Sequence, residues 1–225
     1  SYAAPATRCG TDQFSYTIQA NDGISYGTVY ARVRRCYCAA HAAGINLVFA
    51  VDATVAPKDF KWQMSFVDAI QKRAAANAAF NFGLFGVGQS TRWQNLSLAH
   101  IDFEFVDPNY DGSNFPYALG AAFGQIGDGT ATSAFGVPPA GRRSVLVVIS
   151  GHESTDDPTS AGGVLATTYA AGFYIVMISV NPNGDHWNHQ KKLSPLYSKA
   201  VRNWDVELQD PQIAYDVMDA ICSLP

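Results

Sequence analysis

The sequence predicts an α/β fold, in which a doubly wound, mostly parallel sheet has helices on both faces and one antiparallel edge strand. Two observations predict this fold. Nearly continuous apolar runs, INLVFAV (45–51) and SVLVVIS (144–150), are typical of strands that are covered on both faces. Segments with apolar residues at helical spacing alternate with such runs, as crossover connections between parallel strands require.

An N-terminal β-hairpin extension is predicted for residues 1–43, ahead of the α/β domain at 44–225. The segments 14–20 and 25–34 are rich in aromatic and β-branched residues. They flank Asn-Asp-Gly, and such a turn between two such runs indicates a hairpin.

The first half of the domain is predicted to contain a strand, a helix and two more strands. The helix follows a proline that suits a first turn, and its apolar residues Phe60, Met64, Val67 and Ile70 recur at helical spacing. The predicted bounds are 45–51, 56–78 and 80–87, followed by an edge strand of alternating apolar and acidic residues at 100–106.

The second half is predicted to end in a capped helix, with Asp210 as the cap, Pro211 in the first turn and an inward stripe of Ile213, Val217 and Ile221. A glycine, Gly172, suits the position after an earlier helix. The remaining predicted bounds are helices at 115–126 and 160–172 and strands at 144–150, 173–180 and 204–209.

The composition narrows the range of functions. Of the 225 residues, 48% are hydrophobic and 15% charged, which indicates a globular protein with a buried interior. The net charge of −4 and the absence of a basic run argue against nucleic acid and anionic membranes as partners. No apolar run approaches the roughly 20 residues that span a bilayer.

The cysteines predict an oxidising compartment. Cys9, Cys36, Cys38 and Cys222 lie near the two ends of the chain, and Cys-Tyr-Cys lacks the spacing of zinc ribbons and thiol oxidoreductases. We therefore expect two disulfides in a secreted protein, with three connectivities open. The glycosylation sequon at Asn95 points the same way.

Three loops are candidates for a functional site. In open α/β sheets, ligands bind outside the carboxyl ends of the strands. The loops 52–57 and 151–163 follow the two most apolar strands, so we expect them to lie side by side. A third loop, 107–119, is expected to reach the same end.

These loops, together with the order of the strands and helices, resemble those of von Willebrand factor A-type domains and integrin I domains. The family's loops carry D-x-S-x-S, G-G-T-x-T and T-D-G, and the resemblance covers about residues 44–222. It implies a Rossmann-like sheet wrapped by helices and a divalent cation held by the loops. The open position of that cation accepts a carboxylate from a protein ligand, such as collagen or another matrix component.

The metal ligands implied by the resemblance are degenerate in this chain. Asp52 matches the first aspartate, Thr54 keeps a hydroxyl and Ser113 replaces the threonine of the middle loop. Ala56 stands in place of the second serine, and Gly151 in place of the last aspartate. Because Mg²⁺ requires about six oxygens at about 2.1 Å, we expect no cofactor, or only a weakly bound Mg²⁺ or Mn²⁺.

The resemblance also implies a ligand-binding surface and a disulfide pairing. The surface comprises Asp52, Thr54, Ser113, Asn114, His152, Glu153 and Asp156. The implied disulfides are Cys38–Cys222, at the opposite pole, and Cys9–Cys36. Simpler interpretations stay open, since an aspartate after a strand is often a turn or capping residue and the acidic loop could be merely solvated.

The function that follows is that of a secreted, non-catalytic adhesion or matrix-binding domain. One alternative is a structural or assembly module that uses the hairpin and the helices. Another is a phosphohydrolase with Asp52 as nucleophile. Other enzyme classes lack support: the chain has no G-x-S-x-G, only G-x-G at 86–88, and no third zinc ligand near His186 and His189.

Overall fold

The computed structural model describes most of the predicted strands and two helices. The described residues are 9–20, 23–34, 44–74, 80–87, 93–97, 142–152, 172–180, 194 and 196–224. Among them, only the backbone is described for 9–20, 23–34, 93–97 and Phe85.

The N-terminal hairpin is confirmed. Strands β1 (Cys9–Ala20) and β2 (Gly23–Arg34) pair antiparallel in a separate two-stranded sheet. The register joins Ala20 to Gly23, so two residues separate the strands. Both strands are longer than predicted, and β1 begins at Cys9 rather than at residue 14.

The second sheet has six strands in the order β5-β4-β3-β6-β7-β8. All neighbouring pairs are parallel except β4 and β5, which are antiparallel. The predicted mostly parallel sheet with one antiparallel edge strand is therefore confirmed. The bounds are β3 Ile45–Asp52, β4 Phe80–Val87, β5 Trp93–Ser97, β6 Arg143–Ser150, β7 Phe173–Val180 and β8 Tyr197–Val201.

Two helices are described, α1 (Pro57–Ala74) and α2 (Pro211–Cys222), and they contact each other. They pack on the sheet face formed by the odd-numbered residues of β3 and β6, including Leu47 and Val147. Residues of the other face, such as Val48, are equally buried. The central strands β3, β6 and β7 are therefore mostly apolar, as expected for strands that are buried on both faces.

The C-terminal helix forms as the sequence predicts. The Asp210 side chain accepts a hydrogen bond from the backbone N–H of Gln212, and Pro211 occupies the first turn. The predicted inward residues Ile213, Val217 and Ile221 are all buried. In α1, the predicted Phe60, Val67 and Ile70 are buried, whereas Met64 is only partly buried.

The predicted strand at 204–209 is wrong. This segment forms turns, Val206 is 67% exposed, and the last strand is instead β8. The Asn203 side chain accepts hydrogen bonds from the backbone N–H groups of Val206 and Glu207. Such local bonds compete with a strand ladder, which the alternating apolar pattern alone does not reveal.

Other predicted elements differ in place or lie outside the described residues. The antiparallel edge strand is formed by β5, ahead of the predicted 100–106, which lies outside the described residues. The helices predicted at 115–126 and 160–172 lie outside them too. Gly172, predicted to follow the second of these helices, has a φ of 83°, in the left-handed region that favours glycine.

One of the four cysteines predicted to form disulfides, Cys222, has a described side chain. Cys222, the last residue of α2, is disulfide-bonded. The side chains of Cys9, Cys36 and Cys38 are not described, so the pairing Cys38–Cys222 stays a prediction. Asn95 of the sequon lies in β5. No described helix is long and apolar enough to cross a membrane.

Candidate functional site

The loops after β3 and β6 meet at the carboxyl ends of the two adjacent strands. The parallel register pairs Val51 with Ile149, so Asp52 ends β3 beside the end of β6. The predicted proximity of these two loops is confirmed by direct hydrogen bonds between them.

The carboxylate of Asp52 is the centre of this junction, and its side chain is fully buried. Its Oδ1 accepts from the backbone N–H of Thr54 at 2.8 Å and from the Thr54 hydroxyl at 2.6 Å. Its Oδ2 accepts from the backbone N–H of Gly151 at 2.9 Å and contacts Nδ1 of His152 at 3.1 Å. A carboxylate offers about four lone-pair positions, so four donors satisfy it.

The backbone of Asp52 is held by a residue that the sequence analysis missed. Gln63 of α1, which is fully buried, accepts from the Asp52 N–H at 2.8 Å and donates to the Asp52 carbonyl at 2.8 Å. This reciprocal pair fixes the end of β3 against α1. The available signal was a glutamine three residues after Phe60 and four before Val67, on the apolar face of the helix.

His152 bridges two oxygens of the junction. Its Nδ1 lies 3.1 Å from Oδ2 of Asp52 and 3.0 Å from the hydroxyl oxygen of Thr54. The Thr54 hydroxyl donates its hydrogen bond to Oδ1 of Asp52, so the Thr54 oxygen and Oδ2 of Asp52 both act as acceptors toward Nδ1. Nδ1 therefore carries a proton. The His152 side chain is 48% exposed, and its backbone carbonyl accepts from the Ser150 hydroxyl at 2.9 Å.

The electrostatics of the junction favour a positive imidazole. The hydrogen bond to Asp52 raises the pKa of His152; burial opposes the rise, and the charges of Asp52 and Asp59 add to it. The pKa of Asp59 itself is raised by burial and by Asp205, while Lys58 and His152 lower it.

Gly151 is enclosed by neighbouring side chains. A Cβ at this position would lie 2.3 Å from Cζ2 of Trp204 and 2.7 Å from Cγ1 of Val55. Trp204 is partly buried and packs against the core. The family's aspartate therefore has no room here unless the indole moves.

Four predicted site residues lie outside the part of the chain that the structure describes. Ser113, Asn114, Glu153 and Asp156 lie outside the described residues, as do the two histidines at 186 and 189. Ala56, in place of the second serine, begins the turn into α1, and its carbonyl accepts from the N–H groups of Asp59 and Phe60. Asp52 and Thr54 are the two predicted metal ligands that the structure brings together.

Comparisons with known structures identify the fold. A structure of proximal thread matrix protein 1 from the mussel byssus is similar with a TM-score of 0.61 and 11% identity, covering 80% of this chain and 48% of that one. The von Willebrand A domain of SpRpn10 is similar with a TM-score of 0.56 and 14% identity, covering 75% and 93%.

A further byssus structure, described as having a zinc-occupied MIDAS motif (the metal-ion-dependent adhesion site), is similar with a TM-score of 0.58 and 15% identity, covering 84% and 47%. This chain thus spans about half the length of the byssus protein. No protein-family model and no curated protein matches the sequence. This chain has the von Willebrand factor A fold, as the sequence resemblance indicated.

The fold family implies a divalent cation at these loops, and the described residues do not fit a tightly held one. The four bonds to Asp52 use its lone pairs, and the place of the last aspartate is closed by Trp204. Within the described ranges, no three side chains of His, Cys, Asp or Glu converge as metal ligands. Asp52 instead serves the simpler role of binding backbone N–H groups, here from two loops at once.

Proposed function

We propose that this chain is a secreted, non-catalytic adhesion domain that binds a protein partner at the loops after β3 and β6. The observation that carries the proposal is the junction of the two loops, where Asp52 binds backbone N–H groups of Thr54 and Gly151. A surface that is fixed before binding loses little conformational freedom when a partner docks.

The proposed partner is a matrix protein such as collagen. Support comes from the fold, because one similar structure belongs to a thread matrix protein of the byssus. Of the residues expected at this surface, Asp52 and Thr54 are buried and support the loops from beneath, so the proposed contact residues are Ser113, Asn114, His152, Glu153 and Asp156. Of these, His152 is the half-exposed polar group at the described part of the junction.

An extracellular setting is proposed from the cysteines and the sequon. The disulfide at Cys222 suits an oxidising compartment. We propose its pairing with Cys38, a second bond between Cys9 and Cys36, and a glycan at Asn95.

A non-catalytic role is supported by the state of Asp52. A carboxylate nucleophile must reach its substrate, but this carboxylate is fully buried and accepts four hydrogen bonds. The phosphohydrolase alternative would require this network to break in every turnover. A generic phosphatase assay with Asp52→Asn as the control tests that alternative.

Surface plasmon resonance on immobilised fibrillar collagen and on a panel of other matrix proteins tests the adhesion proposal. We expect the chain to bind at least one of these surfaces and His152→Ala to weaken that binding by about tenfold or more, as for a contact at the centre of an interface. The matched control is Lys72→Ala, because Lys72 lies in the last turn of α1 and is 73% exposed. Equal binding by wild type and His152→Ala would refute the proposed surface.

The second candidate function is a structural or assembly module. It is favoured by the separate two-stranded hairpin, whose strands pair only with each other among the described residues. Deletion of residues 1–34 discriminates between the candidates. Loss of matrix binding on deletion, with normal binding by His152→Ala, would favour assembly through the hairpin.

A further inference from the structure

We infer that the imidazole of His152 occupies the place that a divalent cation takes in this fold family, so that the loop junction is closed by a side chain rather than by an ion. This inference concerns how the junction is built. It stands apart from the identity of any partner.

The first step is that Nδ1 of His152 contacts the same oxygens that a cation would bind. It lies 3.1 Å from Oδ2 of Asp52 and 3.0 Å from the hydroxyl oxygen of Thr54. These are the two predicted metal ligands that the described residues retain. A cation linking them would have to displace the imidazole from both.

The second step is that the bridge does not depend on the charge of the ring. Both neighbours of Nδ1 accept hydrogen bonds, which fixes the proton on Nδ1. Nδ1 keeps that proton in the neutral ring and in the imidazolium, since only Nε2 gains or loses one. The junction is therefore closed to a cation in either state.

The third step is that an aspartate at position 151, the place of the family's last aspartate, would require neighbouring side chains to move. Gly151 lies against Trp204 and Val55, at 2.3 Å and 2.7 Å from a Cβ placed there. Displacing the imidazole would thus leave one carboxylate and one hydroxyl among the described groups, which is far from the roughly six oxygens that Mg²⁺ needs.

Metal titration with matched variants tests the inference. Mn²⁺ binding would be measured by water-proton relaxation for wild type, Thr54→Val, His152→Asn and His152→Ala. The asparagine Nδ2–H can stand in for the Nδ1–H of histidine, whereas alanine removes the donor. We expect wild type, Thr54→Val and His152→Asn to show the same weak background binding of Mn²⁺, and only His152→Ala to gain measurable binding, with a dissociation constant of about 1 mM.

Stronger Mn²⁺ binding by wild type than by Thr54→Val would overturn the inference, because it would place an ion at the junction. So would a failure of His152→Ala to gain any binding over His152→Asn. A second readout needs no variant. Nitrogen-15 spectra of the imidazole should show Nδ1 protonated at all values of pH, and a neutral ring with its proton on Nε2 would also contradict the bridge. Both readouts are made without a partner protein. The inference about His152 can therefore be refuted while the proposed adhesion function still holds.

Discussion

Replacing Gln63 by leucine should destabilise the fold strongly, because this side chain is the partner of two buried backbone groups. Gln63→Leu keeps a similar volume but leaves the N–H and the carbonyl of Asp52 without the bonds that now measure 2.8 Å each. A buried polar group left unpaired costs about 1–3 kcal/mol, so the two together should cost about 2–6 kcal/mol. Urea unfolding followed by circular dichroism would measure this as a lower midpoint at an unchanged slope.

The matched control for this experiment is Ser65→Ala on the same helix. The Ser65 hydroxyl donates to the carbonyl of Lys61 at an exposed position, so its loss should change the free energy of unfolding by less than about 0.5 kcal/mol. If Gln63→Leu were as stable as Ser65→Ala, the two hydrogen bonds between Gln63 and the backbone of Asp52 would contribute nothing to stability, and the reasoning would be refuted.

Four further changes have expected outcomes. Gly151→Ala should cost about 1–3 kcal/mol by overpacking against Trp204, and a double-mutant cycle should show this cost shrinking in a Trp204→Ala background; an additive cycle would contradict the clash. Asp52 raises the pKa of His152, so the free energy of unfolding of wild type should exceed that of His152→Asn most at pH values below the unfolded pKa of about 6.5. This difference should shrink as the pH rises through the pKa of His152 in the folded state. A difference that does not change with pH would refute the ion pair. Asp210→Ala should lower the free energy of unfolding by about 1 kcal/mol through loss of its hydrogen bond to Gln212. An unchanged free energy of unfolding would show that this cap does not stabilise the helix. Cys222→Ser should cost about 2–5 kcal/mol in thermal or urea unfolding, whereas equal melts with and without reductant would speak against a stabilising disulfide.

The sheet was predictable because the apolar sequence of its central strands indicates that both of their faces are buried. The apolar runs at 45–51 and 144–150 are buried on both faces, and a parallel sheet covered by helices gives consecutive residues that environment. The capped helix Pro211–Cys222 was predictable for a similar reason, since its cap, proline and apolar stripe are all local signals.

The strand predicted at 204–209 was wrong because a polar side chain bonds the local backbone there. Apolar and acidic residues alternate in the segment 204–209 as in a strand. The segment nevertheless forms turns, in which the Asn203 side chain accepts hydrogen bonds from two of its N–H groups. A composition-based reading weighs the apolar residues and ignores the amide that precedes them. The strand Trp93–Ser97 was not predicted, because this segment lacks a strong alternating pattern.

The site was predictable in part. Its place at the carboxyl ends of β3 and β6 follows from the topology, and Asp52, Thr54 and His152 were all predicted site residues. The roles of Gln63 and Trp204 were not predictable, because each acts through a contact that joins segments distant in sequence. Gln63 bonds a residue 11 positions away, and Trp204 lies 53 positions from Gly151.

A crystal grown or soaked in Mn²⁺ offers the most direct view of the junction. The closed bridge predicts no anomalous density between Oδ2 of Asp52 and the hydroxyl of Thr54, with Nδ1 of His152 within hydrogen-bonding distance of both. An anomalous peak between those two oxygens, with the imidazole turned away, would contradict it.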